Sequence, residues 1–173
     1  MMLHGALDPQ VLMQQWLQAL AVDGFLMFST LGPGSLRGLR AAYRTMGWPS
    51  PHAAFVDMHD LGDMLVRCGF GDPVMDQEVV TLTWPTAAAM LAELRGLGAN
   101  LDPERVSGLR TPRWRAALER SLQATADDHG RVVMEFEIVY GHAVRPLPRA
   151  AMSATTSIGL DDMRTIMRAR PRR

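Results

Sequence analysis

Phe25-Leu26-Met27-Phe28-Ser29-Thr30-Leu31-Gly32-Pro33-Gly34-Ser35-Leu36 is the stretch that decides how this chain is understood. The run over 25–31 carries no charge and no proline. A short continuous apolar run of this kind predicts a strand buried on both faces, as in a parallel sheet. Gly32-Pro33-Gly34 punctuates it. Ser35 is placed to cap a following helix with Leu36, Leu39, Tyr43 and Met46 on one face and Gly47 at its end. Ahead of the run, Asp8 and Pro9 open a helix with Met13, Trp16, Leu17 and Leu20 at helical spacing and Gly24 as its stop.

Beyond it, Trp48-Pro49-Ser50-Pro51 is loop, because each proline disfavours helix at the residue before it. Leu61, Met64, Leu65 and Cys68 mark a helix capped by Asp57 or Asp60 and ended by Gly69. Val- and Thr-rich 74–84 predicts a strand. Helices follow over about 86–97 and from Thr111-Pro112, the latter turning Trp114, Leu118 and Leu122 inward. The segment 131–144 is expected to be the longest strand, with Met134, Phe136, Ile138 and Tyr140 on one face and Val133, Glu135, Glu137 and Val139 on the other. Residues 147–157 suit a linker. Leu160, Met163, Ile166 and Met167 suit a short amphipathic helix. The alternation is α/β, with a helix rather than a strand at its start, as in the second half of a doubly wound sheet.

The 173 residues make one domain's worth of chain, 47% hydrophobic and 21% charged, which excludes a disordered or collagen-like protein. Cys68 is the only cysteine, so no internal disulfide forms, and a reducing, cytosolic compartment is expected. No apolar run is long enough to span a membrane and no secretory signal opens the sequence. All 18 basic residues are Arg, balanced by 18 acidic ones. Residues 1–146 net −4 and residues 147–173 net +4, so the body lacks the basic stripe of a nucleic-acid binder.

No motif demands a particular chemistry. Gly32–Gly34, Gly69–Gly71 and Gly96–Gly98 each lack the third glycine of a dinucleotide loop, and the last two follow helices. Only Gly32–Gly34 sits between strand and helix, where turn chemistry outweighs pocket lining. His4, His52, His59, His129 and His142 show no metal-site spacing. Asp57, Asp60 and Asp63 around His59 suit a helix start better than a metal cluster. Cys68 lies on an apolar helix face, so it is inert core rather than a nucleophile. Trp16, Trp84 and Trp114 are core candidates. Residues 95–120 hold Arg95, Arg105, Arg110, Arg113, Arg115 and Arg120 against three acids. Such a patch is either a solvated helical face or a clamp for a carboxylate, a phosphate or an acidic partner.

Four blocks carry a resemblance: the 25–36 stretch, Phe55-Val56-Asp57-Met58-His59-Asp60, Leu94-Arg95-Gly96-Leu97-Gly98-Ala99, and Val139-Tyr140-Gly141-His142-Ala143. In order and spacing they resemble malonyl-acyl-carrier-protein O-methyltransferases of biotin synthesis, over residues 1 to about 146. The resemblance implies the C-terminal half of a class I, Rossmann-like methyltransferase sheet. Strands five, six and seven fall at 25–31, 74–84 and 131–144, the last antiparallel and inserted between the other two. A helical insert over about 85–130 covers the substrate entrance, and 147–173 is a loose basic tail.

The implied activity is transfer of a methyl group from S-adenosylmethionine to the free carboxylate of malonyl-acyl-carrier protein. The acceptor's own oxygen is the nucleophile, so no catalytic residue is named. His4, Arg110, Arg113 and Tyr140 are the substrate-side candidates. Arg95, Arg110, Arg113 and Arg115 are the candidates for docking the carrier. No metal, membrane or nucleic acid is expected.

The family's Gly-rich loop and ribose-binding acid have no counterpart, and its His-Trp pair reads His4-Gly5. Met1 then resembles an internal methionine of a longer reading frame. S-adenosylmethionine belongs to the complete enzyme and is not expected to bind this chain alone. With strand four absent, 25–31 becomes a sheet edge suited to homodimer pairing. The alternatives are a non-catalytic remnant acting as an interaction protein, or a methyltransferase with another small-molecule acceptor.

Overall fold

A short 3-10 turn, Leu3–Gly5, precedes helix α1, Pro9–Ala19, in a computed structural model that describes residues 3–98, 102, 105–106, 108–148, 159–161 and 163. Asp8 starts α1 as expected: its carboxylate accepts from the backbone N–H groups of Gln10 and Val11, and Pro9 sits in the first turn. The helix ends at Ala19 rather than at Gly24. Leu20 is already extended, and the Gly24 N–H closes a turn onto the Ala21 carbonyl just before strand β1, Phe25–Leu31.

Helices α2 (Arg37–Thr45) and α3 (Met58–Cys68) follow, then strand β2 (Gly71–Trp84), helices α4 (Ala87–Gly96) and α5 (Pro112–Gln123), and strand β3 (Val132–Val144). Asp57, Thr86 and Thr111 cap α3, α4 and α5 through side-chain bonds to the first-turn N–H groups. Gly69 ends α3 in the left-handed region at φ 100°, which glycine alone adopts freely. At 14 residues β2 exceeds β3, which has 13. Its extra length comes from 71–73, where a bulge between Gly71 and Val74 lets pairing resume on the far side of Pro73. The linker at 147–157 and the helix proposed at 160–167 fall largely outside the described residues. Leu160, Asp161 and Met163 are helical.

The sheet has the order β1-β3-β2, with β3 antiparallel to both neighbours. Leu31 pairs with Ile138, and Trp84 with Val132. β1 is therefore an edge strand, not one buried on both faces: Phe25 is 60% and Met27 70% exposed. Its apolar residues are continuous, but its neighbours cover only alternate side chains. Burial along β3 also departs from simple alternation. Val132, Met134 and Phe136 are buried, then the phase shifts so that Val139 and Ala143 are buried while Tyr140 is exposed. Successive side chains point to opposite faces, so β3 feeds two cores. One holds α2, α4 and α5 against Met134 and Phe136. The other holds α1 and α3 against Val139 and Ala143. Each fully buried anchor, such as Leu61, Leu65, Met90 or Leu118, contributes about 1.5–3 kcal/mol of transfer free energy.

Ser35 does not cap α2. Leu36 occupies that position in the left-handed region with no side-chain cap bond. Ser35 is instead fully buried. Its hydroxyl donates to the Glu137 carbonyl and accepts from the Glu137 N–H, each at 3.0 Å. A buried polar side chain serves the sheet better than the helix here, because it mends the ladder where β1 gives way to the loop.

Candidate functional site

Where β1 ends, two cavities open side by side. The smaller, about 260 Å³, is bounded by Thr30, Leu31, Leu3, Val56 and Leu61. The larger is an apolar cleft of about 690 Å³ between α2, α4 and α5, floored by Leu31 and Phe136. His4, Leu31 and Phe55 line both. Ligands of open α/β sheets bind beyond the carboxyl ends of strands, and this cleft has that position relative to β1.

Aromatic rings shape its walls. Tyr43 meets Trp48 edge-on at 5.4 Å and Trp114 at 6.0 Å, and Trp48 lies 5.1 Å from Trp114. His52 stacks on Phe55 at 4.4 Å and 13°, and His4 meets Phe55 edge-on. Prolines 49 and 51 extend the chain between these rings, so loop 48–55 presents its side chains to the cleft without a helix or strand of its own. The inward spacing of α5 brings Trp114 from the opposite side.

Among the described residues, three polar atoms lining the cleft are buried without a hydrogen-bond partner: His4 Nδ1, His52 Nε2 and Trp114 Nε1. His52 Nδ1 lies 2.6 Å from the Ala53 carbonyl, which requires the proton on Nδ1 and leaves Nε2 as an acceptor. Burial holds the His52 pKa below its ordinary value, with the Arg40 charge acting the same way and the Ala53 carbonyl and Asp102 opposing. Burial likewise lowers His4 and raises Tyr43, the latter opposed by Arg110. The cleft thus offers the His52 acceptor and the Trp114 indole donor, beside His4 Nδ1, in an apolar wall, where an unmade hydrogen bond is costly.

The arginines divide. Arg95 and Arg115 line the cleft, but Arg115 is paired with Glu119 at 2.7 Å. Arg110 lies over the Trp114 ring at 4.8 Å. Arg113 is exposed on α5, outside the cleft. Tyr140 also stands apart from both cavities, on the exposed part of β3, where its hydroxyl donates to Glu78. His4, Arg95 and Arg115 therefore line one cleft, Arg110 is exposed over its Trp114 wall, and Arg113 and Tyr140 lie apart. His52 and Phe55 are the cleft residues that spacing did not single out, since loop side chains follow no period, whereas Tyr43 falls on the apolar face of α2 and Trp48 lines the neighbouring groove.

The Gly32-Pro33-Gly34 loop offers no room for a nucleotide. The Glu137 carboxylate fills it and accepts from the Gly34 N–H. A Cβ at Gly32 or Gly34 would stand 2.7 or 2.6 Å from that carboxylate. Cys68 is half-buried, its thiol pKa raised by burial and its Sγ directed at the Gln10 carbonyl, which is no nucleophile's setting. Among the described residues no group of His, Cys, Asp and Glu could hold a metal ion, and no helix is long and apolar enough to cross a membrane.

No family model matches the chain. Among solved structures, a protein of Bacillus halodurans C-125 assigned as a methyltransferase aligns over 84% of this chain and 61% of its own, with a TM-score of 0.50 at 12% identity. That likeness shows the fold: α/β, and part of a methyltransferase sheet. Curated sequences are closer. The malonyl-acyl-carrier-protein O-methyltransferase of Gallionella capsiferriformans is 42% identical over 134 residues, 76% of this chain and 46% of the relative. That of Laribacter hongkongensis is 38% identical over 164 residues, 94% of this chain and 53% of the relative. In sequence the chain is similar to the malonyl-acyl-carrier-protein O-methyltransferases, and it spans about half the length of the curated relatives it matches.

Proposed function

We propose that this chain forms the acceptor-binding part of an S-adenosylmethionine-dependent O-methyltransferase. The acceptor is the free carboxylate of a malonyl group held as a thioester on acyl carrier protein. One observation carries the reading beyond kinship: an apolar, aromatic-walled cleft at the end of β1 with a buried donor and a buried acceptor left open. S-adenosylmethionine would supply the methyl group. The described residues do not fit its adenosyl half, because the one glycine loop between strand and helix is filled by Glu137. The donor therefore belongs to the part of the relatives' length that this chain does not match.

The tasks left to this chain are binding and orientation. A carboxylate oxygen is already a nucleophile, so alignment matters more than acid–base help. The apolar walls exclude water. The role of orienting the malonyl carboxylate is assigned to Arg110 and Arg95, a reading supported by Arg110 lying over Trp114 and Arg95 lining the cleft on the α4 side. Arg113 and Arg115, on α5, are assigned to the side facing the acidic carrier, where charge mainly sets encounter rate.

Tryptophan emission tests this reading on the chain itself. Malonyl-pantetheine should change the emission saturably, and Trp114→Phe should remove most of the change. Butyryl-pantetheine, lacking the carboxylate, should bind about tenfold more weakly, the scale of one charged hydrogen bond. Equal affinity for the two, or no saturable change, would overturn the assignment.

A further inference from the structure

Helix α2 carries Arg37, Arg40 and Arg44 at spacings of three and four, which align them in one stripe. With Tyr43, Trp48 and Ser50 they line an open groove of about 580 Å³. Arg37 and Arg44 are exposed, and among the described residues neither has an acidic partner. Arg40 donates to the Pro33 carbonyl, which ties the stripe to the glycine loop. The helix is cationic on this side beyond anything its own neighbours neutralise.

The groove is not isolated. It shares Tyr43 and Pro51 with the aromatic cleft, and the cleft shares His4, Leu31 and Phe55 with the cavity at the end of β1. The groove and the cleft are therefore neighbours. The groove is cationic. The cleft is apolar, with the Trp114 donor and the His52 acceptor open among the described residues. A ligand complementary to both is anionic at one end and amide-bearing along its length.

We propose that the α2 arginines hold the phosphate group of a pantetheine-type arm, whose amides pass His52 and Trp114 and whose acyl end lies in the cleft with its carboxylate toward Arg95 and Arg110. This inference rests on the acceptor reading above and adds the residues that grip the far end of the arm. The guanidinium fork matches phosphate oxygens in pairs, which a lysine stripe would not do. The concave, Trp48-walled groove suits a single compact anion rather than the broad surface of an acidic protein.

The test uses this chain and tryptophan emission, with malonyl-phosphopantetheine and malonyl-pantetheine as probes. Removing the phosphate should weaken binding to the unmodified chain about tenfold or more. The double variant Arg37→Gln/Arg44→Gln should abolish that difference and leave malonyl-pantetheine affinity unchanged. It spares the Arg40 bond to Pro33, and a melting curve checks that it folds. Malonyl-coenzyme A and the malonyl carrier protein should lose affinity to the same degree in the variant. A loss confined to the carrier protein would overturn the proposal in favour of protein-surface contacts. Equal binding of the two probes by the unmodified chain would overturn it while leaving the acceptor reading standing. Failure of malonyl-pantetheine to bind at all would overturn both.

Discussion

Gly141 lies in β3 opposite Phe28, and a Cβ there would run into two carbons of the Phe28 ring. The ring in turn packs near Trp16, so it cannot swing aside freely. Gly141→Ala is expected to cost about 1–3 kcal/mol of stability, the range for overpacking a filled site. Adding Phe28→Leu should return part of that loss, because the two positions share one volume. Urea unfolding of both variants checks it, and a Gly141→Ala chain as stable as the original would refute the close approach. His52 and His4 predict a pH dependence. Both have folded pKa values below the ordinary 6.5, through burial. The unfolded chain therefore binds more protons between the folded and unfolded pKa values, and stability rises with pH across that interval. Their contribution is complete above about pH 6.5 and is lost as pH falls through the folded pKa values. The melting temperature should drop from about pH 7.5 to 5.5, with a shallower slope in His52→Phe. An unchanged slope would mean that His52 is not the titrating group.

At the level of elements, the junction of β1, the glycine loop and β3 holds the cleft floor in place. Ser35→Ala would leave the Glu137 N–H and carbonyl without their hydroxyl partner. The expected cost is about 1–3 kcal/mol, that of a buried unmade bond. Amide exchange should accelerate at Glu137 and Gly34 before it does at Val139. Uniform acceleration would point to a global effect instead. This junction also marks the limit of what local sequence conveys. Asp8 was legible as a cap, and Asp57 as one of two candidates, because a cap bonds within its own first turn. Ser35 has the same local credentials, yet its hydroxyl is claimed by Glu137, 102 residues away in the chain. The exposed half of β1 was not legible in its own residues for the same reason, since burial depends on which strands and helices lie alongside; it followed only from the resemblance, which left 25–31 at a sheet edge. The cleft itself is built from loop 48–55, α2 and α5, which no single period connects.

On the scale of the molecule, β1 presents an apolar edge with Phe25 and Met27 exposed. Such edges pair with other chains unless they are guarded. The chain is expected to self-associate as its concentration rises, and Met27→Lys should reduce this in sedimentation runs. A sharp monomer at high concentration would argue that the edge is inert. Because the glycine loop is filled by Glu137, calorimetry should find weak S-adenosylmethionine binding by the chain alone, and tight one-to-one binding would defeat the division of donor and acceptor sites. The central claim is that this fold orients a malonyl carboxylate for methylation. The most direct measurement joins the chain in frame to the part of the Gallionella capsiferriformans relative that it does not match. The joined protein is then supplied with methyl-labelled S-adenosylmethionine and malonyl-acyl-carrier protein. The account predicts labelled, base-labile methyl ester on the carrier, reduced when Arg95 and Arg110 are replaced by Gln. A joined protein that folds and binds S-adenosylmethionine, yet leaves the malonyl carrier unlabelled, would contradict it.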